Sequence, residues 1–256
     1  AYHQILAEYY EAKATGKKNF AYLPMTIHHY EKCHNLVKVY QYKIAYLKEY
    51  YTIVNENFPV LHWEMEYGDD NQELSFHADE ILRLAEEVIR FEGDSHQLQE
   101  MKMEMYYVKG RFDIAIGEYE TGLANIKASE SIAETLNDNK ARLNNYKQMI
   151  FYGIQIENLP LVKKYVEEGM KLIDETDTDE KGIFMRLKGW YLLHEGRYEE
   201  ARSLLTQARE FFENRDGGSG QYAMNIAACY NYIGDVCREM KEYQSALSYY
   251  KIAIEK

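Results

Sequence analysis

The chain has 256 residues and a formal net charge of −12 at pH 7, from 42 acidic and 30 basic residues. This negative charge argues against direct contact between the chain and a nucleic-acid backbone. No apolar run approaches the ~20 residues that span a bilayer, so we expect no membrane contact. The cysteines Cys33, Cys229 and Cys237 are odd in number, which favours free thiols in a cytoplasmic protein.

The first third of the chain predicts helices with irregular spacing. Residues 2–15 form one helical pattern, Pro24 begins another, and residues 26–56 contain neither Gly nor Pro. Residues 74–91 place apolar side chains at helical spacing. We therefore expect residues 1–94 to form an N-terminal helical region with degenerate or inserted repeats.

The stretch LKGWYLLHEGRYEEARSLL, residues 187–205, contains two glycines with different predicted roles. Gly189 lies among apolar residues and permits close packing of two helices. Gly196 ends the first helix in a left-handed turn, after which a second helix begins. The same offsets recur downstream, where Gly234 corresponds to Gly189 and Ala246 to Ala201.

An earlier stretch, MYYVKGRFDIAIGEYETGLANI, is interpreted in the same register. Gly110 aligns with Gly196, which predicts that Gly110 ends a helix and that Ala115 corresponds to Ala201. A looser copy places Val162 at this small-residue position. The position then recurs at 115, 162, 201 and 246, and recurrence at such intervals is typical of stacked helical repeats.

These residues resemble the tetratricopeptide repeat (TPR), a family of helix–turn–helix units, although Lys241 stands where the family has a turn glycine. The long helices are similar to the repeats of bacterial transcriptional regulators. The resemblance implies an all-α, right-handed superhelical solenoid of antiparallel helix pairs over residues 95–256. Repeats are expected at about 95–138, 139–180, 181–220 and 221–256, in one continuous solenoid.

Motifs for metal, phosphate or catalytic chemistry are weak throughout the sequence. The stretch at residues 177–182 begins like a calcium loop, but lysines occupy ligand positions of that pattern. His29 and Cys33 lie one helical turn apart without an identifiable third ligand. The glycine-rich residues 213–221 lack a phosphate-loop signature and predict a flexible connection. We expect no enzyme activity, no metal and no cofactor.

The resemblance implies a concave groove lined by the first helix of each repeat. Cationic and amide side chains at these positions suit a peptide, because amides bind its backbone and Arg binds a carboxylate. Transferring the family's groove positions to this sequence gives Tyr107, Lys147, Phe151, Gln155, Arg186, Trp190, His194, Asn231 and Arg238.

The leading functional prediction is a non-enzymatic scaffold that binds a protein or peptide. By resemblance, it would be the sensor or interaction region of a larger bacterial cytoplasmic transcriptional regulator. Two alternatives stay open. One is a self-associating module that forms a homodimer through its Tyr-rich helices, since 25 of the residues are Tyr. The other is a phosphatase-like enzyme built on a helical-repeat scaffold.

Overall fold

A computed structural model describes residues 2–14, 20–54, 77–92, 95–173 and 178–256. These residues form twelve α-helices and no β-strand, which confirms the predicted all-α class. The helices are α1 Tyr2–Ala14, α2 Leu23–Lys32, α3 Leu36–Val54, α4 Ala78–Glu92, α5 His96–Ala115, α6 Tyr119–Thr135, α7 Asn139–Gln155, α8 Leu159–Leu172, α9 Thr178–His194, α10 Tyr198–Asp216, α11 Ala223–Glu239 and α12 Tyr243–Glu255.

The helices gather into two compact units, the first ending at Asn145 and the second running from Tyr146 to Lys256. In the first unit, α1, α2 and α3 pack in sequence, and α3, α4 and α5 pack on one another. In the second unit, α9, α10, α11 and α12 pack in chain order. The repeat boundaries drawn from the sequence stay predictions.

A partly buried carboxylate joins the first three helices. Glu11 on α1 accepts hydrogen bonds from Lys38 Nζ at 2.8 Å and from Tyr42 Oη at 2.6 Å, both on α3. The Tyr30 hydroxyl on α2 also donates to Glu11. Burial alone would raise the pKa of Glu11, but these donors and the Lys38 charge outweigh it and lower the pKa. The carboxylate is therefore ionised and fixes the three helices to one another.

One repeated turn connects most neighbouring helices. In each turn of this kind a residue with positive φ follows the helix, and the next N–H bonds to a carbonyl five residues back, as Arg197 N does to Leu192 O at 2.9 Å. The predicted turn at Gly196 is confirmed, with φ 79°. Lys241 takes the same conformation without being a glycine, with φ 64°. The six positive-φ residues of these turns in the described parts of the chain are His34, Gly117, Asn137, Glu157, Gly196 and Lys241.

Gly110 does not end a helix, so the prediction for the first repeat is wrong. It lies inside α5, where an added methyl group would come within 2.7 Å of Ile126 Cδ1 and 2.8 Å of Gly122 O on α6. The turn is made by Gly117, with φ 91°. Gly110 therefore corresponds to Gly189 rather than to Gly196, and Gly122 replaces Ala115 as the small residue of the partner helix.

The close-packing role predicted for Gly189 is confirmed. A methyl group at Gly189 would lie 2.5 Å from Leu205 Cγ on α10. At the corresponding Gly234, a methyl group would lie 2.6 Å from Tyr250 Cε1 on α12. Absence of a side chain at these positions lets each helix pair approach closely.

Residues 217–221 form a hydrogen-bonded turn within the segment whose composition predicts a flexible connection. Helix α10 continues as far as Asp216. The Asp216 carboxylate then accepts hydrogen bonds from the backbone N–H of Tyr222 at 2.8 Å and of Gly220 at 3.0 Å. A single side chain thereby fixes the glycine-rich backbone that leads into α11.

Candidate functional site

The second unit brings together three first helices of successive pairs, α7, α9 and α11. Lys147 on α7 forms an ion pair with Glu180 on α9, with 2.8 Å between Nζ and Oε1. Helix α9 also packs against α11. Eight of the nine predicted groove residues lie on these three helices, all within the second unit.

The most prominent feature of α9 is a stacked pair of rings. Trp190 and His194 have ring centroids 3.8 Å apart and an interplanar angle of 28°. His194 Nδ1 lies 2.9 Å from Trp190 O and donates to it in the tautomer that carries a proton on Nδ1. His194 is exposed and Trp190 is half-buried, so the stack presents a flat, fixed surface.

Arg186 lies one turn before Trp190 and is buried, whereas the groove pattern predicts it on an open surface. Its side chain is 0% exposed, and Nε and Nη1 have no hydrogen-bond partner among the described residues. Arg186 acts electrostatically on Cys229 and Tyr232 of α11, because the packing of α9 on α11 encloses its side chain. Burial raises the pKa of the Cys229 thiol to about 12, against the opposing effect of the Arg186 charge. Cys229 is a free, buried thiol.

The other two predicted cations already have acidic partners within the chain. Lys147 pairs with Glu180, and both side chains are largely buried. Arg238 pairs with Asp235 at 3.0 Å and with Glu239 at 3.1 Å. A ligand carboxylate would have to compete with these acids. The groove pattern does not include these acidic partners, although the i,i+3 spacing of Asp235 and Arg238 on one helix face predicts one of them.

The remaining predicted residues occupy different surroundings. Gln155 and Asn231 are exposed, and Phe151 is half-buried. Tyr107 belongs to the first unit, where it is buried beneath the Lys48 ammonium at 5.8 Å and the Arg111 guanidinium at 5.6 Å. The prediction for Tyr107 uses the repeat register in which Gly110 is the turn residue. The structure corrects this register.

Where the structure describes them, the residues of the weak metal motifs do not form a set of metal ligands. His29 Nδ1 lies 3.0 Å from His3 Nδ1 on α1, and its ring stacks on Tyr10. Burial lowers the pKa of His29, and the adjacent His28 and His3 lower it further. Over the described ranges, no group of three His, Cys, Asp or Glu side chains could hold a metal ion. Residue 177 of the calcium-like stretch lies outside them.

None of the helices in the described parts of the chain is long and apolar enough to cross a membrane.

Comparison with known families supports the repeat interpretation. Residues 185–255, from within α9 to the end of α12, match the family model of the tetratricopeptide repeat. A search of curated proteins finds no match. Together with the helix pairs, the family match confirms the TPR-like fold class predicted from the sequence. Repeats of this kind indicate a protein-interaction scaffold.

Proposed function

We propose that the second unit binds a peptide or protein segment across α7, α9 and α11, without catalysing a reaction. The observation that carries the proposal is the Trp190–His194 stack, a rigid aromatic surface of the kind that dominates binding energy at interfaces. Exposed Gln155 and Asn231 on the neighbouring helices offer amide groups to a peptide backbone.

The charge arrangement favours a ligand that is not strongly acidic. Lys147 and Arg238 are engaged with acids of the chain, and Arg186 is buried. The chain also carries a net charge of −12, which repels acidic segments. We therefore expect the ligand to contribute an aromatic or aliphatic side chain to the Trp190–His194 stack, with its backbone bonded by amides.

Peptide selection followed by calorimetry tests this proposal. Peptides selected from a random library on the immobilised chain would be titrated into the wild type and into Trp190→Ala. Loss of a central aromatic contact typically weakens binding by tenfold or more, about 1.4 kcal/mol or above. Arg186 is left intact, because substitution of a fully buried side chain would disturb the packing of α9 on α11.

Phe91→Ala is the matched control, because Phe91 is an aromatic residue of the first unit with 83% exposure. We expect the control to bind the selected peptides like the wild type. Equal affinities of Trp190→Ala and the wild type would refute a role for the stack. Failure to select any peptide would count against peptide binding itself.

Self-association is a second candidate, supported by an apolar stripe on α12. Tyr243, Leu247 and Ile254 lie on one helix face and are 63%, 50% and 85% exposed. A stripe of this kind can bury itself against a second copy. Sedimentation of the wild type beside a Leu247→Lys, Ile254→Lys double variant tests it, and a wild type that stays monomeric at high micromolar concentration argues against it.

The resemblance to long-repeat bacterial regulators supports a further part of the proposal. The chain would serve as the sensor or interaction region of a cytoplasmic transcriptional regulator, and a bound peptide would be the signal. The test is to add a selected peptide to the intact regulator and measure DNA binding, where an unchanged affinity would refute signalling through this region.

A further inference from the structure

A small cleft lined largely by polar residues lies in the first unit. Its volume is about 10 Å³, which is room for one water-sized group. Helices α3, α5, α6 and the beginning of α7 contribute its walls. The polar residues that line it include Lys48, Glu104, Ser129, Asn144 and Asn145.

Asn145 gives the cleft an unsatisfied acceptor. Its side chain is 0% exposed, and its Nδ2 donates to Ser129 Oγ at 3.1 Å, which sets the orientation of the amide. Its Oδ1 has no hydrogen-bond partner among the residues described. An unpaired buried carbonyl is destabilising, so a donor that reached it would be bound favourably.

The charges around the cleft cancel. Lys48 Nζ lies 2.7 Å from both Glu104 carboxylate oxygens. Burial alone would lower the pKa of Lys48, but the Glu104 carboxylate outweighs it and raises the pKa, so Lys48 is charged at neutral pH. An ammonium ligand would be repelled by the Lys48 charge, and a carboxylate ligand would be repelled by the Glu104 charge. Both kinds of charged ligand are thereby disfavoured.

We propose that this cleft binds a carboxamide, the neutral group that both donates and accepts hydrogen bonds. Its NH₂ would enter the cleft and donate to Asn145 Oδ1. Its carbonyl oxygen would stay at the mouth, where the partly exposed Asn144 amide supplies a donor. The cleft holds only the tip of such a group, so the recognised unit is an Asn or Gln side chain or a backbone amide.

Titration with small neutral and charged probes tests the assignment. Acetamide, acetate and methylammonium have similar sizes and differ in charge, and each would be added to the isotope-labelled full chain. The backbone amide resonances of the residues that line the cleft report binding by NMR, in the wild type and in each variant. We expect saturable shifts with acetamide, at an affinity at least tenfold above that of either ion.

Two substitutions of Asn145 distinguish recognition from packing. Asn145→Leu should abolish the acetamide response, whereas Asn214→Leu, the same change at an exposed position of α10, should retain it. Asn145→Asp should reverse the preference toward methylammonium, an outcome that a purely structural role would not produce. It also keeps the test valid if Asn145→Leu fails to fold.

Absence of saturable acetamide shifts would overturn the proposal, and so would equal responses in Asn145→Leu. A water signal at Asn145 without acetamide binding would identify the cleft as a hydration site only. Trp190→Ala should leave the acetamide titration unchanged, so this inference stands or fails independently of peptide binding by the second unit.

Discussion

Replacement of Gly110 by alanine adds one methyl group where α5 crosses α6. That methyl group would lie 2.7 Å from Ile126 Cδ1 and 2.8 Å from Gly122 O. The isoleucine can change rotamer, but the oxygen belongs to the backbone of α6 and can move only with its helix. The crossing therefore has to widen.

Two opposing effects set the magnitude. Alanine has a better helix propensity than glycine, by about 1 kcal/mol at an interior position. Overpacking costs about 1–3 kcal/mol, with the upper part expected where backbone has to move. We expect Gly110→Ala to be destabilised by about 1–2 kcal/mol, which lowers the melting temperature by about 2–8 °C for a domain of this size.

A comparison with asparagine separates close packing from a turn. At Gly117, with φ 91°, Asn should cost less than Ala, because Asn tolerates left-handed backbone better. At Gly110 the order should reverse, because Asn is larger than Ala. Calorimetric melting of the four variants measures both orders. A neutral or stabilising Gly110→Ala, or the same order at both glycines, would refute the close-packing role.

Two further changes test the turns. Lys241→Gly should stabilise the second unit by about 1 kcal/mol, because it removes a side chain from left-handed backbone, whereas Lys241→Ala should change little; equal melting temperatures for the two variants would contradict this. Asp216→Asn should lower the melting temperature at neutral pH, because the N–H groups of Tyr222, above all, and Gly220 lower the pKa of the Asp216 carboxyl. A lowered pKa stabilises the fold above the ordinary pKa and loses this contribution as pH falls, so the difference from wild type should shrink below about pH 4 in thermal melts across pH. A difference that does not depend on pH would contradict the electrostatic explanation.

Local sequence signals were sufficient to predict helix starts and turns where one residue has one strong conformational preference. Pro24 lies in the first turn of α2, as predicted, because its fixed φ suits a helix start. Gly196 makes its turn because glycine adopts left-handed backbone without steric cost. The break after α2 was not predicted, because it occurs at His34, with φ 56°, and neither Gly nor Pro marks it.

The candidate site was predicted less completely than the fold. The groove pattern selected Gln155, Asn231 and the Trp190–His194 pair, and a binding role for these residues stays a prediction. It could not reveal that Arg186 is buried, because that depends on how α9 packs against α11. It also omitted Asn145, whose unpaired carbonyl is evident only once Ser129 and Glu104 lie beside it.

The sequence alone determined the helical class, the repeating hairpins and the acidic character of this chain. These follow from periodicity, turn chemistry and net charge, which act between near neighbours or over the whole composition. The tertiary structure decided that Gly110 lies in a close helix contact and that Gly196 lies in a turn. The sequence could not distinguish the two, since both glycines have similar neighbours. The tertiary structure also decided which cations are open to a ligand, because burial and ion pairing depend on residues brought together from distant parts of the chain.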